Sequence, residues 1–234
     1  MMESVSNEDD YEMIEKLATK LRTYCNNGDL SIDALRTFIK DNIPTKHLQD
    51  VLREASMLCD SKNISLDIIN CLLEYYPEGI SVKNGEKYPL HVACMNKHCP
   101  SDVITFLAEK YPAAISHSSI DDDVNYPLRN YLSYCPYNKI DIEIIVMFIK
   151  EYPDALSKED GTFYDYELSE KLGDYLNQYC NEDGMSITGL RERIENIPQI
   201  FIQDVLRGAS MLCASKNVSL EIIKCLLEYY PEGV

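Results

Sequence analysis

The amino-acid sequence predicts an all-α protein, an elongated α-solenoid of about six antiparallel helix pairs. Three observations lead to this fold class. The chain repeats itself, because residues 51–80 return almost unchanged as residues 205–234. Six apolar segments share one pattern of helix start and helix stop. Within these segments the apolar residues recur at helical spacing, which favours helices that stack as repeats.

Each of the six segments opens with Ser or Asp and ends at a proline about 12 residues later. A Ser or Asp side chain accepts hydrogen bonds from the free N–H groups of the first helical turn. Proline cannot continue a helix, and it moves the residue before it away from helical torsion angles. The segments are residues 31–44, 65–77, 101–112, 141–153, 186–198 and 219–231.

The second segment illustrates the helical spacing. Its apolar residues follow i, i+3, i+6, i+7 and i+10, which gives one buried stripe along a helix, whereas a strand would need strict alternation. They are Leu66, Ile69, Leu72, Leu73 and Tyr76. This pattern therefore predicts the second helix of a pair.

Another helical pattern precedes each capped segment. These first helices are predicted near residues 11–24, 47–59, 89–97, 127–135, 166–179 and 201–213. The terminal prolines lie 33, 35, 41, 45 and 33 residues apart, a length typical of one helix pair. Such a pair cannot bury its apolar faces alone. We therefore predict one repeat array over residues 1–234, with an internal duplication of 12–80 and 167–234.

The charge balance narrows the possible partners. Lys and Arg number 22 against 39 Asp and Glu, so the formal net charge is −17. Nucleic acids and anionic membrane surfaces both bind through Lys and Arg, so we expect neither as a partner. The acidic N-terminus lacks the features of a secretory signal, and no apolar run approaches the roughly 18 residues of a membrane span. We expect an intracellular, cytoplasmic protein, with a nuclear location left open.

The nine cysteines are an odd number, and most occupy apolar positions of helical patterns. Free cysteine behaves as a small buried apolar residue, and intracellular disulfides are rare. We therefore expect reduced thiols inside the core. The positions concerned are Cys59, Cys71, Cys94, Cys213 and Cys225.

One cluster could carry metal or redox chemistry. His91, Cys94 and His98 share one helical face, Cys99 follows directly, and imidazole with thiolate suits Zn²⁺. Against this, Cys94 falls on the apolar stripe and the helix is expected to end before His98. We expect no metal and no cofactor. A metal- or redox-responsive regulator using these four residues is the alternative function.

Other catalytic or binding motifs fail on their spacing. Asp121, Asp123 and Asn125 begin like a calcium-binding loop, but Tyr126 stands where Gly is needed and Leu132 where Glu is needed. The sequence contains neither a G-x-S-x-G nucleophile motif nor a phosphate-binding loop. We therefore expect no enzyme activity.

Tyrosine is the remaining signal, with 17 copies and no tryptophan. Tyrosine is favoured at interfaces because one end of its ring is apolar and the other polar. Core packing between repeats is the competing explanation. The predicted function is a non-catalytic protein–protein interaction scaffold for a protein partner whose identity the sequence leaves open. The predicted partner-binding residues are Tyr88, Asp121, Asp122, Asp123, Tyr126, Tyr131 and Tyr134.

The repeated exposed residues of the duplication have two alternative explanations. Several positions that look exposed, including Lys62, Asn63 and Glu74, recur as Lys216, Asn217 and Glu228. Recent duplication explains this, and so does a binding surface that is used twice. The last pair lacks a polar capping helix, which terminal repeats normally need. We therefore expect that this C-terminal repeat meets a partner or self-associates with a second copy, or else that the natural chain was truncated.

The third pair also carries a family resemblance. Residues 83–93 read KNGEKYPLHVA, and residues 102–107 read DVITFL. These resemble the ankyrin turn and T-P-L-H-x-A signature with Tyr88 in place of Thr, followed by the I-V-x-x-L-L second helix. The fourth pair keeps Tyr-Pro-Leu at 126–128 but has Arg129 instead of His, and the other four pairs lack the motif.

A divergent ankyrin-like array implies right-handed stacking of repeats and protein binding through finger loops and first helices. The resemblance also implies that His91 bonds to backbone in a neighbouring turn. A Tyr-Pro ending replaces the usual Gly-Ala turn, so regular β-hairpin fingers are not expected over most of the chain.

Overall fold

The computed structural model describes residues 6–27, 31–121, 123–136, 139–152, 165–181, 183, 185–197, 202–203, 205–206 and 219–229. These residues form an all-α structure apart from one short hairpin, so the predicted fold class is confirmed at the level of secondary structure. The chain divides into two compact units, Met1–Lys139 and Ile140–Val234, and each is described separately.

The first unit contains seven α-helices in the part of the chain that is described. They are α1 (Ser6–Asn26), α2 (Ile32–Asn42), α3 (Leu48–Glu54), α4 (Leu66–Tyr75), α5 (Pro89–Met95), α6 (Ser101–Lys110) and α7 (Pro127–Tyr134). Short 3-10 helices lie at Thr45–His47, Ser56–Leu58, Gly79–Ser81 and Pro112–Ala114. Strands β1 (Ser119–Asp121) and β2 (Asp123–Asn125) pair antiparallel, with Ile120 opposite Val124.

In the second unit, the described helices are α8 (Ile142–Glu151), α9 (Asp165–Asn181), α10 (Ile187–Asn196) and α11 (Leu220–Tyr229). Helix α10 packs against both α9 and α11. The core of this unit includes Leu176, Ile194 and Ile222, none of which has an exposed side chain. The first helix predicted at 201–213 lies mostly outside the described residues.

Most of the predicted helix starts are confirmed by their hydrogen bonds. The hydroxyls of Ser31, Ser65 and Ser186 each accept a hydrogen bond from the N–H three residues later. These bonds satisfy donors that a helix start leaves free. The predicted cap at Ser101 is wrong, because Pro100 holds the cap position and Ser101 is already helical.

The predicted helix stops are also confirmed where the structure describes them, and the three stops that read Tyr-Pro there share one backbone geometry. Tyr76, Tyr111 and Tyr152 each precede a proline and have φ between −148° and −141° with ψ between 74° and 83°. Their N–H groups still donate to the carbonyl four residues earlier. Proline excludes helical torsion angles at the tyrosine before it, so these three helices end at the same point of the Tyr-Pro motif.

The helices of the first unit pack against helices near them in the chain. Helix α1 contacts α3, and α5 contacts α7; along the second helices, α4 contacts both α2 and α6. Within the pairs, α1 contacts α2, α3 contacts α4 and α5 contacts α6. The apolar stripes meet in this core, where burial stabilises at about 25 cal/mol per Å². Its fully buried members include Leu21, Leu35, Ile39, Leu52, Ile69, Leu72, Leu90 and Ile104.

One turn departs from the sequence prediction. The continuous helix predicted at 47–59 is wrong, because Ser56, Met57 and Leu58 adopt φ values of 47°, 53° and 60°. All three side chains are buried. The left-handed turn costs about 1–2 kcal/mol per residue, and burial of the Met57 and Leu58 side chains offsets this cost.

Gly79 fits closely against this turn, which generates a test. A Cβ at Gly79 would lie 2.6 Å from Met57 Sδ and 2.9 Å from Tyr76 Cδ1. We expect Gly79→Ala to lower the free energy of unfolding by about 1–3 kcal/mol, because such contacts force side chains out of position. Urea unfolding measures this change. In a Met57→Ala background the penalty should shrink, and an equal penalty in both backgrounds would contradict the packing described.

Candidate interaction surface

Helix α5 begins at Pro89, directly after Tyr88. Its third residue, His91, connects the third helix pair to the turn that precedes the fourth pair. Pro89 occupies the first helical position, where its missing N–H costs no hydrogen bond. The His91 side chain is fully buried, and its Nε2 lies 2.9 Å from the carbonyl oxygen of His117. A carbonyl only accepts, so Nε2–H is the donor. His117 precedes β1, and the expected bond from His91 to a neighbouring turn is confirmed.

Aromatic rings surround this hydrogen bond. The ring of Tyr88 meets that of Tyr111 edge to face at a centroid distance of 5.2 Å and that of His117 at 5.0 Å. Lys83 Nζ lies 5.3 Å from the Tyr88 centroid, within the range of a cation–π contact. Tyr88 was predicted to bind a partner, and the structure places it half-buried among these internal contacts.

The turn before α5 has the conformation that its sequence predicts. The Asn84 and Lys87 backbones exchange hydrogen bonds of 3.0 and 3.2 Å, and Gly85 between them has a φ of 58°. Glycine adopts this left-handed conformation without a steric penalty. The Asn84 side-chain Nδ2 donates to the Glu54 carbonyl at 3.0 Å, which ties the turn to the preceding pair.

Burial determines the charge of His91. Removal from water lowers its pKa from 6.5 to about 4, although the bond to His117 acts in the opposite direction. The imidazole is therefore neutral at pH 7 and serves as a hydrogen-bond donor between two turns. A proton-transfer role near neutral pH would need a higher pKa.

The other predicted partner-binding residues fall into different environments. Tyr131 is 2% exposed, so its side chain belongs to the core and is not part of an open surface. Tyr134, the last residue of α7, is 51% exposed, and Tyr126 before α7 is half-buried. Asp121 and Asp123 lie opposite each other in the hairpin, and Asp122 lies outside the described residues.

The predicted His/Cys cluster does not converge on a metal site. His91 uses Nε2 for the bond to His117, Cys94 is 1% exposed in the core, and His98 sits on an exposed turn. In the described part of the chain, no group of three or more His, Cys, Asp or Glu residues is placed to hold a metal ion.

The thiols of this region are poor nucleophiles. Burial raises the pKa of Cys94 and of Cys59 well above the ordinary thiol value, and it raises that of Cys99 to about 12. Redox and nucleophilic chemistry needs the thiolate, which these groups do not form near neutral pH. Four of the predicted core thiols, Cys59, Cys71, Cys94 and Cys225, are buried as expected, and Cys213 lies outside the described residues.

A groove of about 650 Å³ lies where α2, α4 and α6 begin, and none of the predicted partner-binding residues lines it. Ser31, Lys62, Ser65, His98 and Pro100 are among its lining residues. The sequence offers one indication of this groove, because Lys62 and Asn63 recur as Lys216 and Asn217 in the duplicated segment.

Asparagine side chains hold one wall of this groove from both sides. Asn26 Oδ1 accepts hydrogen bonds from Ser61 Oγ at 3.0 Å and from the Lys62 N–H at 2.7 Å. Asn96 Nδ2 donates to the carbonyls of Cys59 and Ser61 at 3.0 and 2.8 Å. The loop between α3 and α4 is thereby fixed to α1 before it and to α5 after it, so the groove is largely pre-formed.

Comparisons with protein-family models, with curated proteins and with solved structures found no match to this chain. Among the helices that the structure describes, none combines the length and the apolar character needed to cross a membrane.

The buried histidine predicts a specific pH dependence. The pKa of His91 is about 4 when folded and 6.5 ordinarily, so the unfolded chain binds more protons between these values. The stability that neutral His91 supports is complete above pH 6.5 and is lost as the pH falls towards 4. We expect about 1 kcal/mol of this loss between pH 7.5 and 5.5.

A His91→Gln variant is the matched control for this effect, because it removes the titrating group. Urea unfolding of both proteins at the two pH values isolates the contribution of His91 from that of the carboxylates. Identical pH dependence in the two proteins would show that His91 keeps an ordinary pKa when folded.

Proposed function

We propose that this chain is an ankyrin-like α-solenoid that acts as a non-catalytic protein–protein interaction scaffold. The observation that carries the proposal is the packing order of the first unit. There α1 contacts α3, α5 contacts α7, and α4 contacts both α2 and α6. Contacts between successive pairs are typical of solenoids, which expose extended surfaces and use them for binding.

The motif around α5 supports the ankyrin-like part of the proposal. The Tyr-Pro-Leu-His-Val-Ala segment starts a helix at its proline, and its histidine bonds to the backbone of the next turn. A tight turn at 84–87 precedes α5, and the β1–β2 hairpin precedes α7. These are the positions at which an ankyrin-like array has finger loops.

The partner surface that we propose combines Tyr134, Tyr126 and the hairpin with Asp121 and Asp123. Tyr134 contributes an open aromatic ring, of the kind that often anchors interfaces. The net charge of −17 favours a basic partner segment over nucleic acid or an anionic membrane surface. Tyr131 is left out because it is buried, and Tyr88 contributes through its support of the turn.

The absence of catalysis, of a metal and of a cofactor is part of the same proposal. An intracellular, cytoplasmic location is also part of it, and it fits the buried free thiols of Cys59, Cys71, Cys94 and Cys225. The alternative, a metal- or redox-responsive regulator, needs reactive sulfur near His91. The raised pKa values of Cys94 and Cys99 weaken that alternative.

Affinity capture with a matched pair of tyrosine variants tests the proposal. The tagged chain captures partners from a cell lysate, mass spectrometry identifies them, and binding of the purified partner is then measured. Tyr134→Ala should weaken binding about tenfold or more, as loss of an aromatic anchor does. Tyr11→Ala, which removes a 62% exposed tyrosine from α1, should leave binding unchanged.

Both variants remove an exposed ring, so neither should affect folding, and equal unfolding midpoints verify this. A partner that binds both variants as tightly as the unchanged chain would refute the proposed surface. A purified chain that captures no protein, but turns over a small molecule, would refute the scaffold function itself.

A further inference from the structure

Helix α11 is a copy of α4, and the two can be compared residue by residue. Their sequences, LEIIKCLLEY and LDIINCLLEY, are identical at eight of ten positions. Differences in their burial therefore report differences in what surrounds them, since the side chains themselves are nearly the same.

One face of the two helices is packed in the same way. Cys71 in α4 and Cys225 in α11 are both 1% exposed. An arginine from the preceding second helix reaches a glutamate on each: Arg36 lies 2.6 Å from Glu74, and Arg191 lies 2.7 Å from Glu228. Helix α10 thus covers α11 as α2 covers α4.

The opposite face differs between the copies. Ile69 in α4 is fully buried, and α4 is also packed against α6. The equivalent Ile223 in α11 is 37% exposed, and Leu220 is 66% exposed where Leu66 is half-buried. In the described residues, Leu220 and Ile223 are the large aliphatic side chains that remain exposed. In α11 the side chains of this packing face are therefore more exposed than their counterparts in α4.

We propose that this α11 face is covered by the same face of a second copy of the chain, in a dimer with twofold symmetry. A twofold contact pairs one patch with itself and needs no second apolar surface. A head-to-tail contact would need a second apolar surface, at the other end of the array. The first helix pair, which forms that end, has mainly polar side chains at its exposed positions. Among them are Glu12, Lys16, Asp33, Lys40 and Asp41.

Charge on α11 suits this self-pairing. Glu221 and Lys224 are both exposed on the helix that carries the patch. When two copies of α11 pack antiparallel, Lys224 of each can lie beside Glu221 of the other. Opposite charges flanking an apolar centre are typical of specific interfaces.

The overall charge and the size of the face set the strength of the contact. One face of a ten-residue helix is smaller than a standard interface of about 800 Å² per partner. Each copy also carries a net charge of −17, and the two repel each other. The dimer should therefore be weak, with a dissociation constant of about 1 µM or larger. Salt should strengthen it by screening the repulsion between the two copies. This inference is independent of the proposed partner surface, which lies in the first unit.

Sedimentation equilibrium on the full chain tests the dimer over protein concentrations from about 1 µM to 1 mM. We expect a reversible monomer–dimer equilibrium that shifts towards dimer as NaCl is raised. Ile223→Lys should weaken association at least tenfold, because it buries a charge at the centre of the patch. Tyr11→Lys, a matched change at an exposed ring in the first unit, should leave association unchanged.

Ile223 is partly exposed, so Ile223→Lys should fold, and a cooperative urea transition verifies this. Leu220→Ser, at a more exposed position, is a second variant that should also weaken association. The proposal is overturned by a chain that stays monomeric at every concentration and salt tested. It is equally overturned when Ile223→Lys and Leu220→Ser dimerise as well as the unchanged chain.

Discussion

The constraint on which the rest of this structure depends is that no helix pair can bury its apolar stripe by itself. Helix α4 shows how the constraint is met, because it is packed against α2, α3 and α6, and Ile69 at its centre is fully buried. Helix α11 has nearly the same sequence and leaves Ile223 37% exposed. Burial therefore depends on what packs against the helix, since the side chains of the two helices hardly differ.

Directional hydrogen bonds then fix how neighbouring pairs meet. Apolar packing alone tolerates sliding, whereas buried polar groups must find their partners. Asn26 and Asn96 hold the loop after α3 from two sides, and His91 holds the turn before β1. The same bonds shape the surface: the groove at the starts of α2, α4 and α6, and the hairpin in front of α7. A pre-formed surface binds a partner with less loss of conformational entropy.

Much of this architecture could be predicted from the sequence because its signals are local. Ser31 and Ser65 cap helices through bonds that span three residues, and proline ends a helix at the tyrosine before it. What could not be predicted depends on distant residues. The left-handed turn at Ser56–Leu58 is accommodated beside Gly79, which lies more than 20 residues later in the chain, after α4. Neither Ser, Met nor Leu favours that conformation, so nothing local indicates it.

The candidate site also has features that the sequence predicted and features that it did not. The bond made by His91 follows from its motif, and the sequence predicted it. Tyr131 and Tyr134 are three residues apart on one helix, yet they are 2% and 51% exposed, because Tyr134 is the last residue of α7. The groove beside Lys62 brings together residues from three pairs. Such a surface emerges only when the pairs pack, although the duplicated Lys62 and Asn63 hint at it.

Native-state hydrogen exchange, read helix by helix by mass spectrometry in dilute solution, tests the central claim most directly. Helices α4 and α11 have nearly the same sequence and therefore nearly the same intrinsic helix propensity. The account predicts that α4 exchanges only through large-scale unfolding, while α11 opens locally and exchanges much faster. Equal protection of the two helices would show that their stability is intrinsic, and it would contradict the dependence on neighbours.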